Sequence, residues 1–188
     1  MDPLLPYHVP DASDLPTALG ALRGAGILRA LSRLGPVIAG TFPLDLNLPE
    51  SDVDVLCRLQ PASLFRAAAQ SISRLPGYSL RASVRRGRRT AVCRVRPGRL
   101  PLEIFAQSGP LRSQRGYRHL EVEYRLLSLC GGSLREGILK LRRADARTEP
   151  PFAQLLRLRG DPHDALERLA SSPDAALREL LHRALGDV

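Results

Sequence analysis

The chain has 188 residues, of which 44% are hydrophobic and 25% are charged. These proportions are typical of a globular domain that buries a core, and they exclude a fibrous or disordered chain. The three cysteines are odd in number and widely spaced, which argues against a disulfide framework or a zinc knuckle. The first residues resemble no signal peptide, and no stretch approaches the roughly 18 apolar residues of a membrane span. We therefore expect a cytoplasmic protein without a membrane partner.

The charge balance is strongly basic. Lys and Arg number 28 against 19 Asp and Glu, for a net charge of +9. Such an excess favours an anionic partner such as a nucleotide or a nucleic acid. However, Lys140 is the single lysine, and a bias toward arginine also follows from a GC-rich genome whatever the function. Charge alone therefore indicates nucleic-acid binding only weakly.

Periodicity predicts one helix, then strands, then helices. The first helix covers 17–34 and is loosened at Gly24 and Gly26. Short apolar runs between turn residues predict five strands, with a helix over 61–75 between the second and third. These strands cover 37–39, 53–59, 78–84, 90–95 and 100–105. Helical patterns then cover 113–130, 134–144 and 151–159, with short helices starting near Asp161 and Pro173. We expect an α+β fold, a mixed β-sheet with flanking helices over 1–110 and a helical C-terminal region over 111–188.

Acidic residues mark two of the predicted strands. Because side chains alternate along a strand, Asp52 and Asp54 point to the same side while the valines between and after them point into the core. Glu103 is a third acid flanked by apolar residues on a predicted strand. Three carboxylates on adjacent strands are the oxygen ligands that two Mg²⁺ ions require. Alone, the Asp-x-Asp pair is more often the solvated face of an edge strand, and Glu103 alone can be a lone surface acid.

A glycine and a hydroxyl residue follow the first predicted strand. Gly40 would let backbone N–H groups approach a phosphate, and the hydroxyl of Thr41 could donate to it. This pair followed by Asp-x-Asp and a strand-borne Glu is far more specific than either element alone.

The ordered pattern of Gly40-Thr41, Asp52-x-Asp54 and Glu103 resembles the signature of the DNA polymerase β-like nucleotidyltransferase superfamily. Further segments resemble a bacterial family of unknown function within it, DUF4269, over about residues 17–169. They are 39–43, 51–55, 103–105, 118–120, and 147–153 followed by 160–162. Two departures are Thr41, where the superfamily usually has Ser or Gly, and Arg147, where relatives typically carry lysine.

The resemblance implies transfer of a nucleoside monophosphate from an NTP to a hydroxyl, with Mg²⁺ or Mn²⁺ as cofactor. Asp52 and Asp54 would bind both metals, and Glu103 would complete the metal that activates the acceptor. The nucleotide-binding residues would be Gly40, Thr41, Ser51 and Arg118.

The helix over 113–130 and the tract after it offer a second group. Arg118 could hold phosphate, and His119 or Glu123 could accept a proton from an acceptor hydroxyl. Spacing alone favours the alternative of a salt-bridged surface with a satisfied histidine. Glu149, before two prolines, caps a helix or lines a cleft. The remaining histidines, including His163, are scattered and offer no metal-ligand spacing.

The acceptor stays open at this stage. Eight arginines between Arg81 and Arg99 make a basic hairpin that could grip RNA phosphates, but it has no interleaved aromatic residues beyond Tyr78. A small-molecule acceptor is therefore favoured over RNA. Alternatives to an enzyme are a non-catalytic nucleotide- or RNA-binding module of the same fold and one component of a toxin–antitoxin pair. The preferred NTP and the oligomeric state cannot be derived from these residues.

Overall fold

A computed structural model describes residues 2–10, 12–130, 132–144 and 148–186. Arg147 lies outside these residues. Within them the chain folds into five strands and eight α-helices in the α+β arrangement expected from the sequence. The chain divides into two compact units, Met1–Tyr117 and Arg118–Val188, with the boundary inside one helix.

The first unit contains three helices and all five strands. Its helices are α1 (Leu15–Gly24), α2 (Ile27–Leu31) and α3 (Ala62–Ser71). Its strands are β1 (Val37–Ala39), β2 (Val53–Arg58), β3 (Ser79–Arg85), β4 (Arg88–Val95) and β5 (Leu102–Gln107). The helix α4 (Arg115–Cys130) begins in the last residues of the first unit. Each predicted strand is confirmed, with ends that move by at most a few residues.

The break in the first predicted helix is confirmed at Gly26. This residue has φ 70° and precedes α2 as its N-cap, a backbone conformation that glycine adopts without steric cost. The chain leaves α1 there and starts a new helix, so that the apolar residues of both helices are buried. They are Leu15, Ala18, Leu19, Leu22, Ile27 and Leu31.

The strands form one mixed sheet in the order β1-β2-β5-β4-β3. The central pair, β2 and β5, is parallel, and the other neighbours are antiparallel. Where the three inner strands pair with one another, over 53–58, 90–95 and 102–107, one face carries only small or apolar residues, all buried: Val53, Val55, Cys57, Ala91, Cys93, Val95, Leu102, Ile104 and Ala106. This face is the core of the first unit. The three cysteines of the chain are unpaired and buried.

The basic hairpin is formed by β3 and β4. Its two-residue turn is Arg86-Gly87, and both residues have positive φ, at 49° and 73°. Paired positive φ values are characteristic of the tight type I′ turn, whose twist matches that of the flanking strands. Almost every side chain of β3 is exposed, including the apolar Val84 at 70%.

The second unit contains the rest of α4 and four further helices. They are α5 (Gly132–Arg142), α6 (Glu149–Leu155), α7 (Pro162–Leu169) and α8 (Asp174–Leu185). Asp161 caps α7 by accepting a hydrogen bond from the Asp164 N–H at 3.0 Å, as its position before Pro162 predicts. Arg125 of α4 binds Asp174 at the start of α8 and donates to the carbonyl of Ala170. Among the described residues no helix is long and apolar enough to cross a membrane.

The glycines of α1 and of its C-terminal break give a first testable prediction. Gly20 lies inside α1, and a Cβ there meets nothing within 4 Å. Gly20→Ala should raise the free energy of unfolding by about 0.5–1 kcal/mol, because alanine lowers the backbone entropy of the unfolded chain. Gly26→Ala is the matched control, because its Cβ is equally uncrowded but its φ is 70°. We expect it to lower stability by about 1–2 kcal/mol in urea denaturation. If Gly20→Ala instead lowered the free energy of unfolding, the placement of Gly20 inside a regular helix, with open space for a Cβ, would be contradicted.

Candidate active site

Two of the three predicted catalytic acids are neighbours in the sheet. Asp54 of β2 and Glu103 of β5 are register partners in the parallel pair. Side chains at partner positions point to the same face. Their face is opposite the apolar one, and both residues are half-buried there. The register therefore places two carboxylates side by side.

The next strand places a positively charged residue opposite Glu103, so Asp54, Glu103 and an arginine form one row across the sheet. Arg94 of β4 is the antiparallel partner of Glu103, and its guanidinium donates a short hydrogen bond to the Glu103 carboxylate. The Arg94 side chain is 52% exposed, so solvent screens the ion pair and its contribution to stability is modest. Glu103 is thus already paired with the Arg94 guanidinium, a partner that local sequence patterns do not predict.

Gly40 lies against the Asp54 carboxylate. It follows β1 with φ 68°, and a Cβ there would overlap the Asp54 Oδ2 atom and lie 3.1 Å from its Cγ. Two requirements therefore demand glycine at this position: the backbone conformation and the space taken by the carboxylate. The β1–β2 pairing explains the approach, because Ala39 is the register partner of Asp54.

The hydroxyl residues around this corner have structural contacts. Thr41 is buried, and its carbonyl accepts hydrogen bonds from the N–H groups of Leu44 and Leu46 at 3.2 and 3.0 Å. The Ser51 hydroxyl accepts a hydrogen bond from the Leu48 N–H at 2.9 Å. Both residues shape the loop between β1 and β2, and their phosphate-binding role stays a prediction.

Asp52 lies just before β2 and its side chain is exposed. It is two residues from Asp54, while Val53 and Val55 are fully buried, as the alternation predicts. The carboxylate oxygens of Asp52, Asp54 and Glu103 are the hard ligands that suit Mg²⁺ or Mn²⁺. Among the described residues, however, the three carboxylates do not form a group whose ligand atoms lie within 4.8 Å of one another, and Glu103 is paired with Arg94.

The predicted polar residues of α4 lie in the second unit and have partners there. The Arg118 guanidinium donates to the Glu167 carbonyl and to the Ser171 hydroxyl, both at 3.1 Å. His119 is 6% exposed and Glu123 is buried. The expectation that these last two lie on a surface is wrong, because α4 is buried on several sides instead of along one apolar stripe.

Burial and charge oppose each other at the two glutamates of this unit. Burial raises the pKa of Glu123 well above its usual value, the charge of Glu149 raises it further, and Arg142 partly offsets both. Burial also acts to raise the pKa of Glu149, but a hydrogen bond from His119 and the charge of His163 outweigh it and lower that pKa to about 2. Glu149 is therefore ionised at neutral pH, whereas Glu123 is held toward its protonated form.

The structure brings His163 into this cluster. Its Nδ1 lies 3.2 Å from the Glu149 carboxylate oxygen Oε1, and its ring stacks on that of His119 with 5.8 Å between centroids. Sequence spacing missed this histidine, because 44 residues separate it from His119. The interpretation of His163 as scattered from the other candidate ligands is wrong.

Solved structures resemble the fold of this chain. One is a Cid1 poly(U) polymerase with MgGTP bound, at a TM-score of 0.52 and 13% identity over 75% of this chain. Another is the GLD-2/RNP-8 complex, at a TM-score of 0.55 and 10% identity over 97% of this chain. The chain spans 44% of the poly(U) polymerase chain and 81% of the matched GLD-2/RNP-8 chain. The fold is therefore nucleotidyltransferase-like.

The family can also be assigned. The model of the family described as "Domain of unknown function (DUF4269)" matches residues 20–169, and this chain belongs to that family. The resemblance inferred from the motifs is confirmed. No curated protein matches the sequence.

Two glycines of the first unit separate crowding at Asp54 from backbone strain. Gly35 has φ 60° and a Cβ there meets only Arg58 Nε at 3.7 Å, so Gly35→Ala measures strain alone. Gly40→Ala adds the overlap with the Asp54 carboxylate. We expect Gly40→Ala to lower the free energy of unfolding by about 1–3 kcal/mol more than Gly35→Ala does, measured by urea denaturation. Equal losses would show that the carboxylate can move aside freely.

Proposed function

We propose that this protein is a metal-dependent nucleotidyltransferase that moves a nucleoside monophosphate from an NTP to a hydroxyl of an acceptor. The observation that carries the proposal is the in-register pairing of Asp54 with Glu103 on parallel strands, next to Gly40. A nucleotidyltransferase-like fold supports it.

The reaction is a displacement at the α-phosphorus. The acceptor hydroxyl releases its proton to water, its oxygen forms a bond to the α-phosphorus, and the bond to the departing pyrophosphate breaks. Divalent metal, when bound, would supply charge neutralisation for the attacking and leaving oxygens. Asp52 and Asp54 would hold the ions, and Glu103 would complete the ion that activates the acceptor. The backbone at Gly40 and Thr41 holds the phosphates, so positioning accounts for most of the rate.

Arg94 belongs to the same site in this proposal. Arg94 is the register partner of Glu103 and pairs with its carboxylate. A guanidinium is also a strong partner for phosphate oxygens, because its planar donors match them in pairs. With Glu103 engaged by a metal ion, Arg94 would be available to bind the triphosphate.

The alternative is a non-catalytic binding module of the same fold. The next experiment distinguishes such a module from an enzyme. Both would bind nucleotide, but only the enzyme needs carboxylates that act on the transition state. Asp54 and Glu103 lie side by side in register, and like charges this close disfavour each other unless a cation neutralises them. A pure binding module gains nothing from that repulsion.

Carboxylate removal tests the proposed reaction. The protein is incubated with each α-labelled NTP, Mg²⁺ or Mn²⁺, and three acceptor pools: total tRNA, a panel of small hydroxyl compounds, and the protein itself. We expect label transfer that falls by at least about 100-fold in Asp52→Asn and in Asp54→Asn, with folding intact. Glu50→Gln is the control, since Glu50 is an exposed acid in the preceding loop. Near-wild-type transfer in either Asp variant would assign these acids a structural role.

The hairpin tests the class of acceptor. We propose a small-molecule acceptor, because 79–95 contains no aromatic residue on which bases could stack. The triple variant Arg81→Gln, Arg85→Gln and Arg89→Gln, at three exposed positions of the hairpin, should then leave both transfer and melting temperature unchanged. Arg88 is spared because it donates to the Ser113 hydroxyl at 2.7 Å.

The matched control removes the same charge elsewhere in the first unit, at the exposed Arg23, Arg29 and Arg33. If transfer falls only in the hairpin variant, and if wild-type binding to the acceptor weakens steeply with salt, the acceptor is RNA. That result would overturn the small-molecule assignment while leaving the proposed reaction intact.

A further inference from the structure

Three side chains of the second unit converge on one point. His119 comes from α4, Glu149 begins α6, and His163 is the second residue of α7. The Glu149 carboxylate oxygen Oε1 is 3.3 Å from His119 Nδ1 and 3.2 Å from His163 Nδ1. One ligand atom from each side chain lies within 4.8 Å of the others. Three helices thus present two imidazoles and one carboxylate to a common centre.

The spacing of these atoms suits a tetrahedral metal. Zinc binds nitrogen and carboxylate oxygen at about 2.0–2.1 Å, which separates neighbouring ligand atoms by about 3.3 Å in a tetrahedron. The two distances to Glu149 have this value, and the third pair of ligand atoms, on the two histidines, lies within 4.8 Å, so a bound ion would draw the imidazoles together. Two histidines and one carboxylate with an open fourth position are a ligand set that zinc-class ions use in proteins.

The hydrogen bond on the far side of His119 orients its ring for this role. Its Nε2 lies 3.0 Å from the His163 carbonyl oxygen, and a carbonyl can only accept. Nε2 therefore carries the hydrogen, and Nδ1 of the neutral ring turns its lone pair toward the Glu149 oxygen. Either a proton on Nδ1, which makes the hydrogen bond to Glu149 described above, or a metal ion must therefore lie between the two atoms. A carbonyl partner behind the ring is also the usual support of a metal-bound histidine.

A proton is the competing cation. If His119 were the imidazolium, it would form a simple ion pair with Glu149. In that arrangement His163 would have to share the same Glu149 oxygen with His119. The two imidazole rings also stack on each other, with 5.8 Å between their centroids. If both rings were charged, they would repel across the stack. One divalent ion satisfies all three side chains at once without placing charge on either ring.

We propose that His119, Glu149 and His163 bind one divalent transition-metal ion of the zinc class, which links α4, α6 and α7. His163 is 41% exposed, so the ion can enter beside it. This site differs from the oxygen-only site proposed for Mg²⁺, because imidazole nitrogen favours zinc and cobalt over magnesium. Its role is to stabilise the helical unit, and it does not depend on nucleotide transfer.

The test uses the full-length, tag-free protein after treatment with a chelator. Titration with Co²⁺ should produce the visible absorption of tetrahedral nitrogen and oxygen coordination, saturating at one ion per chain, with Zn²⁺ then displacing it. Zn²⁺ should also raise the melting temperature, because it binds only the folded protein. Asp54→Asn should keep the absorption, which separates this site from the carboxylates of the sheet.

His163→Ala provides the decisive variant, because its partly exposed side chain can be removed without leaving a deep cavity. We expect Co²⁺ affinity to fall by at least about 10-fold, the low end of the losses measured for residues that merely support metal ligands. His182→Ala, which removes an exposed histidine of α8, should bind as wild type. Equal affinity in His163→Ala and wild type, or a melting temperature that Zn²⁺ leaves unchanged, would overturn the proposal in favour of the ion pair.

Discussion

The parallel register of β2 against β5 is the constraint on which the candidate active site depends. A shift of one residue would turn Glu103 to the opposite face of the sheet and away from Asp54. Buried residues on both strands prevent such a shift, because it would expose Val55 and Ile104 to solvent. Hydrogen bonds extend the pairing beyond both ends, from the Val53 N–H to the Pro101 carbonyl and from the Leu59 N–H to the Gln107 carbonyl. The apolar face therefore fixes the geometry of the acidic one.

The start of α4 is fixed to the same strand. The side-chain amide of Gln114 donates to the Cys57 carbonyl at 2.8 Å, although Gln114 is fully buried. Gly116 follows, and a Cβ there would lie 3.3 Å from Leu56. Close contact at Gly116 and the hydrogen bond at Gln114 thus hold the first turn of the helix against β2. Burial of Cys57 raises the pKa of its thiol to about 12, so this cysteine stays protonated and unreactive.

Local patterns predicted most elements and failed where distant segments meet. The alternation around Asp54 identified a strand with one buried side, and Gly26 marked a helix break, because both signals lie within a few residues. The partner of Glu103 could not be read in this way. Arg94 faces it only because β4 pairs with β5 in one register, and nothing local distinguishes this arginine from the other seven in 81–99.

Local patterns also failed in the second unit, where distant helices meet. Three-dimensional packing of α4, α6 and α7 assembles His119, Glu149 and His163, whereas their sequence spacing follows no metal-binding motif. Leu120 and Leu127 lie about two helical turns apart on α4, and both are buried, as the helical period requires of residues on one face. It could not predict that the side carrying His119 and Glu123 is covered as well, since that depends on helices far along the chain.

The ion pair between Arg94 and Glu103 has a consequence for folding. Two carboxylates on adjacent strands repel, and a sheet built around them would ordinarily form more readily once a divalent ion had arrived. Here Arg94 of β4 supplies an internal counter-ion to Glu103. The negative charge of Asp54 and Glu103 is therefore partly neutralised as soon as the strands pair. The strands can therefore pair without an external counter-ion for Glu103, because the protein carries that counter-ion itself.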